Sequence, residues 1–217
     1  KTLKIPGKML DEMRKRQRAV ASPGEFVPDI APADPQVQDP ATLLDDLCDV
    51  LRKRIYFTCD EHYWALTLWI VATYFRTRTS FAARAYFYAA TKNCGKTTAM
   101  SEAMDLVQTP SRSSSFPAGA LVRRAEEHAP VFMLDEADNA LTGDDRKLYG
   151  ALNASATKRT AVFTMCDGPD NKVRDFNIFC WVMIGGIDNN MKGTLFSRCI
   201  AFPMTRATGK NIPGYET

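Results

Sequence analysis

Three observations in this chain predict an α/β fold in which a parallel sheet is flanked by helices. Short apolar runs with strand composition, at residues 85–90, 131–134, 180–184 and 199–203, alternate with helix-patterned stretches. The first run leads through a glycine-containing turn into a helix start, and the second ends in two adjacent acids. Alternation of this kind requires crossover connections, and hence a parallel, doubly wound sheet.

Taken in order, residues 8–18 pattern as a short helix with a strongly basic end, a contact for nucleic acid or an acidic partner unless it is simply a solvated face. Pro23, Pro28, Pro32, Pro35 and Pro40 follow without periodicity, as in a linker or extended arm. Asp39-Pro40-Ala41-Thr42 is a helix start, and Leu43, Leu44, Leu47, Val50 and Leu51 share one face of a helix reaching about residue 56. Thr58-Cys59-Asp60-Glu61 resembles a second start, for a helix to about residue 76. Its Trp64, Leu68, Trp69 and Val71 imply burial on several sides. This helical pair, residues 41–83, is expected to pack on the core, residues 84–205.

The chemistry is concentrated at Ala90-Thr91-Lys92-Asn93-Cys94-Gly95-Lys96-Thr97-Thr98. The first eight residues have the spacing A-x-x-x-x-G-K-T of a phosphate-binding loop, between a strand and a helix over 97–107. Such a loop aims backbone N–H groups at one point, where the helix dipole favours an anion. Gly95 lets the backbone approach a phosphate, Lys96 supplies a compact cation for the β- and γ-phosphates, and the Thr97 hydroxyl suits Mg²⁺. The usual first glycine is Ala90, which needs an ordinary backbone angle. Cys94 reads as a spacer that alkylating reagents could reach.

Residues 111–116 form a weak second strand, and Pro117-Ala118-Gly119-Ala120 then leads into a helix through His128. Val131-Phe132-Met133-Leu134-Asp135-Glu136 then carries two carboxylates to the carboxyl end of a buried strand, where α/β sheets bind ligands. Asp135 suits a water on Mg²⁺, and Glu136 suits orienting and deprotonating an attacking water. Asp138 reads as a turn or cap. A helix over 143–155 is capped by Asp144 or Asp145. Strands over 158–165 and 173–179 flank a turn at 166–171, with Lys158, Arg159, Lys172 and Arg174 around it. Residues 180–184 form a buried strand ending at Gly185-Gly186. A short helix over 191–198 and a last strand over 199–203 complete the order.

Of the 217 residues, 45% are apolar and 24% charged, ordinary for a globular domain with an appendage, and a net charge of +3 is too small to argue for nucleic acid by itself. Cys48, Cys59, Cys94, Cys166, Cys180 and Cys199 show no C-x-x-C spacing, which predicts reduced, mostly buried thiols in a cytoplasmic protein and no zinc site. The longest apolar run, residues 63–75, is too short to span a bilayer, and no signal peptide is visible. Opening on Lys1 and ending soon after a strand, the chain is expected to be a piece of something larger.

KNCGKTT, then FMLDEAD, then a Leu-Asn helix, then GTLFSRCIAF resembles the AAA+-type P-loop ATPases (ASCE-like). More narrowly, the pattern is similar to ATPase domains that lie beside primase modules in phages and mobile elements, and to superfamily three helicases. The similarity covers residues 43–205. It implies that Arg198 is an arginine finger acting on a neighbouring subunit's nucleotide, and that Asn189, or its neighbour Asp188, is the polar sensor near the γ-phosphate. It implies too that the hairpin over 158–177 faces a pore and touches DNA. The family's small helical lid has no room in residues 206–217.

The leading expectation is an ATP- and Mg²⁺-dependent motor domain, assembled as a homo-oligomeric ring on DNA. One alternative is a nucleotide-controlled switch or assembly ATPase without translocation. Another is a small-molecule kinase on the same loop, which Asp135-Glu136 fits less well because paired acids suit activation of water.

Overall fold

A computed structural model describes residues 39–113, 116–135, 137, 146–187, 191 and 193–207. The basic segment and proline-rich arm lie before these residues. The first two elements are α1, Pro40–Arg54, and α2, Asp60–Tyr74. Asp39 caps α1 by accepting hydrogen bonds from Thr42 N at 3.2 Å and Thr42 Oγ1 at 3.1 Å, with Pro40 in the first turn. Arg52, Lys53 and Arg54 occupy its last turn, where the dipole favours cations. Arg52 also donates to both Asp60 oxygens at 2.8 Å, joining the end of α1 to the start of α2. In α2, Leu66, Trp69 and Ile70 are buried but Leu68 is exposed, so one flank of this apolar helix stays open.

The remaining elements are β1 (Arg84–Ala89), α3 (Lys96–Met104), β2 (Pro110–Ser113), α4 (Ala118–His128), β3 (Val131–Leu134), α5 (Arg146–Ala154), β4 (Val162–Asp167), β5 (Lys172–Asn177), β6 (Trp181–Ile187) and β7 (Cys199–Pro203). Five strands form one parallel sheet in the order β2-β3-β6-β1-β7. The chain is thus α/β, with a five-stranded parallel sheet flanked by helices. β6, made late, separates β1 from β3.

Register assigns the two faces, because paired residues in parallel strands point the same way. Phe87 pairs with Gly185 and Phe202, and Met133 with Met183. On that face Phe57 packs on Phe87 and Phe202, and Trp69 meets Trp181 edge-on with centroids 5.8 Å apart. The helical pair therefore covers this face, as its aromatic content predicts. Fully burying rings of this size contributes roughly 2–3 kcal/mol each. The other face carries Arg84, Tyr86 and Phe132, which meet the end of α5, Phe196 and Phe116 respectively.

Arg84 is fully buried. Its Nη1 donates to Ala82 O and Cys180 O at 2.8 Å, and its Nη2 to Leu152 O at 2.8 Å and Ser155 Oγ at 2.6 Å. One guanidinium thereby joins β1, the approach to β6 and the end of α5. Burial lowers its pKa.

Several boundaries differ from expectation. β4 and β5 form an antiparallel hairpin, but β4 starts at Val162 because residues 158–160 form a turn instead. The second strand is Pro110–Ser113, and residues 114–115 lie outside the described set. No helix spans the described part of 191–198. Only a 3-10 turn, Phe196–Arg198, is present, since Gly193 has φ +75° and departs from helical geometry. The cap candidates Asp138, Asp144 and Asp145 also lie outside the described residues. All six cysteines are free. Cys48, Cys94 and Cys180 are buried, but Cys166 stands exposed on β4, so fewer thiols are hidden than the sequence suggests. Burial pushes Cys199 up to about 12.

Candidate functional site

The carboxyl ends of β1, β6 and β3 lie side by side, and the loop at residues 90–95, the start of α3 and Asp135 come together there. After Ala89 the chain leaves β1 through residues 90–95 and enters α3 at Lys96. Within this loop only Asn93, at φ +61°, and Gly95, at φ +77°, are left-handed, and Ala90 has the ordinary angle its side chain requires. Open space surrounds the position where a Cβ would stand on Gly95. Conformation rather than crowding therefore calls for glycine there.

Cys94 points inward, is 7% exposed, and lies with its Sγ 3.1 Å from Thr91 Oγ1. It braces the loop from inside, which argues against the accessible thiol expected of it. Ala90, Thr91, Lys92, Asn93 and Gly95 are exposed, whereas Lys96 and Thr98 are half-buried.

Two contacts join the helix start to the neighbouring strands. Thr97 Oγ1 donates to Asp135 Oδ2 at 2.9 Å, and Lys96 Nζ donates to Gly186 O at 2.5 Å. Asp135 follows Leu134, the last residue paired in β3, and Ala137 N donates to Gly185 O at 2.9 Å. The acid is thus held where β3 leaves the sheet.

Gly185 is what lets these groups meet. A Cβ at this position would lie 2.8 Å from Asp135 Oδ1 and 2.8 Å from Met100 Sδ of α3. A side chain here would push the Asp135 carboxyl and the Met100 thioether from their positions, so glycine lets α3 and the acid sit close over the strand. Sequence reasoning takes Gly185-Gly186 only as a strand terminus, whereas β6 continues to Ile187. The signal is a glycine pair inside an apolar strand.

Among the described residues this place gathers the Lys96 ammonium, the Thr97 hydroxyl and the Asp135 carboxylate beside an exposed loop at a helix N-terminus. The oxygen pair Thr97–Asp135 fits a hard cation such as Mg²⁺, which takes few protein ligands and otherwise water or phosphate oxygens. Among the described residues no group of three or more His, Cys, Asp or Glu side chains could hold a metal by itself. Glu136, Asp188 and Asn189 lie outside the described residues.

Arg198 is not in this cleft. It precedes Cys199, which pairs with Arg84 at the amino end of β1, and its Nη1 donates to Thr194 O at 2.5 Å. About five strand steps, roughly 17 Å, separate that level from the loop.

The four basic residues around the hairpin are not brought together either. Lys172 is at the tip beside Asp170, at 3.2 Å. Arg174 pairs with Glu126 of α4 at 2.7 Å, and Arg123 of the same helix with Asp167 at 2.8 Å. Lys158 and Arg159 lie beyond the opposite end of the ribbon, where Val162 pairs with Asn177. Among the described residues no helix is long and apolar enough to cross a membrane. In sequence, no family model matches the chain and no curated protein matches it.

Proposed function

We propose that this chain is a Mg²⁺-dependent, ATP-hydrolysing P-loop domain of AAA+ type, and that it serves as a motor subunit on DNA. The observation that carries the reading is that Thr97 bonds Asp135 while the adjacent Lys96 bonds the Gly186 carbonyl, at the carboxyl ends of three parallel strands. In this reading the loop N–H groups and the N-terminus of α3 cradle the phosphates, and Lys96 exchanges the Gly186 carbonyl for a β- or γ-phosphate oxygen. Thr97 Oγ1 and Asp135 Oδ2 are the atoms that would hold Mg²⁺, directly or through water. When bound, the ion supplies positive charge and a template for the phosphate oxygens.

Glu136 takes the proton of the attacking water as the water oxygen bonds to the γ-phosphorus. The bond from that phosphorus to the β–γ bridging oxygen breaks, releasing ADP and phosphate. Arg198, remote from Lys96 within one chain, acts only if a neighbouring subunit presents it to this cleft, so the reading requires assembly. Thr194 O would then have to release it.

ATP binding and phosphate release without any acceptor test this reading. Lys96→Ala should weaken ATP binding on the order of 100-fold. Glu136→Gln should keep ATP bound while phosphate release stops. Unchanged turnover in Glu136→Gln would sink the assignment.

A further inference from the structure

The amino ends of the strands carry a surface of different chemistry. Residues 75–79 close a turn in which Phe75 O accepts from Arg78 N at 2.8 Å and Thr79 N at 3.1 Å. A second segment, residues 156–160, lies against it. Ala82 N donates to Ala156 O at 2.8 Å, Lys158 N to Ser80 O at 2.9 Å, and Lys158 Nζ to Thr77 O at 3.4 Å, while Phe81 bridges Thr157.

On the joined surface Phe75 is 55% and Phe81 44% exposed, and Arg78, Lys158 and Arg159 are exposed as well. Residues 72–84 and 153–166 contain no acid, and neither Arg78 nor Arg159 forms an ion pair among the described residues. Arg76 is occupied otherwise, donating from Nη1 to Thr109 Oγ1, His128 O and Ala129 O.

We propose that this surface binds single-stranded nucleic acid. Three exposed cations on two segments that carry no acid suit a polyanion, and two exposed phenyl rings offer flat faces on which unpaired bases stack. A duplex hides those base faces, which selects the single strand. The inference rests on the reading above only for the class of partner. It needs no bound nucleotide, and it assigns contact to the sheet's amino end instead of the hairpin tip, whose cations are paired with acids.

The test is fluorescence anisotropy with labelled 20-mers of oligo-dT and oligo-rU across a salt series, run beside ATP binding. Arg78→Glu with Arg159→Glu should weaken oligonucleotide binding more than tenfold. It should also reduce the slope of log K against log salt by about 1.4, two phosphate contacts at about 0.7 each. Phe75→Ala with Phe81→Ala should weaken it about tenfold but leave retention on heparin unchanged. Lys172→Glu with Arg174→Glu should change neither.

Comparing the dT and rU arms tells DNA from RNA as the partner. The proposal is overturned if the native chain binds neither oligomer, or if the hairpin-tip variant loses as much as the surface variant. It is also overturned if charge reversal weakens heparin and oligonucleotide alike while ring truncation changes nothing, which would mark a surface for an acidic protein. A native chain that binds oligonucleotide but not ATP keeps this proposal and removes the ATPase reading.

Discussion

The two ends of the parallel sheet join their neighbours by opposite means. At the carboxyl end glycines do it, one by its backbone angle and one by its missing side chain. Gly95 bends the chain at φ +77°, and Gly185 leaves room for Asp135 and Met100. At the amino end one large side chain does the joining, as buried Arg84 bonds three carbonyls and a hydroxyl. The first arrangement leaves polar groups exposed and able to exchange partners. The second fixes them, because releasing a buried polar group without a substitute is costly. One end is therefore suited to chemistry, and the other to holding the layers together.

Substitutions can break this contrast from either side, and the largest effect belongs to Arg84. Arg84→Ala should cost about 3–5 kcal/mol in urea unfolding, through a cavity and four orphaned acceptors, with little change in ATP affinity of the folded fraction. Arg84→Lys should recover less than half, since an ammonium cannot span the same acceptors. A loss below about 1 kcal/mol in Arg84→Ala would show that the fastening lies elsewhere.

Gly185→Ala comes next and should behave in the reverse manner. Its added methyl must displace Asp135 or Met100, at about 1–3 kcal/mol of stability, while Mg²⁺-dependent ATP binding falls further than stability does. Met100→Ala in the same chain should restore part of the binding by making room; if it restores none, the crowding argument fails.

The smallest effect lies outside both ends, at the hairpin. The hydrogen bond from Arg123 holds the Asp167 carboxyl below its ordinary value of 3.8. A depressed acid stabilises the fold above its ordinary pKa, and that contribution disappears as pH falls through the lower folded value. Below pH 3.8 the native chain should therefore lose thermal stability slightly more steeply than Arg123→Gln. The difference is small because the pair is at the surface. Equal slopes would mean that the pair contributes nothing.

What the sequence discloses about these regions follows from how local the cause is. The strand before the loop, the helix after it and the acid at the end of β3 are legible, because apolar runs and a Gly-Lys-Thr step act over a few residues. Gly185 is not, since its meaning comes from Asp135 and Met100, which are distant in the chain and adjacent only once β6 is inserted. Arg84 falls just before the apolar run 85–90 and is not singled out, because nothing near it in sequence announces four buried acceptors. The helix expected over 191–198 is lost to the backbone angle of Gly193, which spacing cannot reveal. The surface joining Phe75, Phe81 and Arg159 needs two segments that only the fold brings together.

Insertion of β6 between β1 and β3 also orders events during synthesis. When a ribosome has released residues through 135, both halves of the cleft have been made but no strand yet bridges them. They can come together only after about fifty further residues, including the whole β4–β5 hairpin, have left the exit tunnel. A nascent chain stalled before residue 181 should therefore be unable to retain nucleotide, and one stalled well beyond residue 203 should hold it.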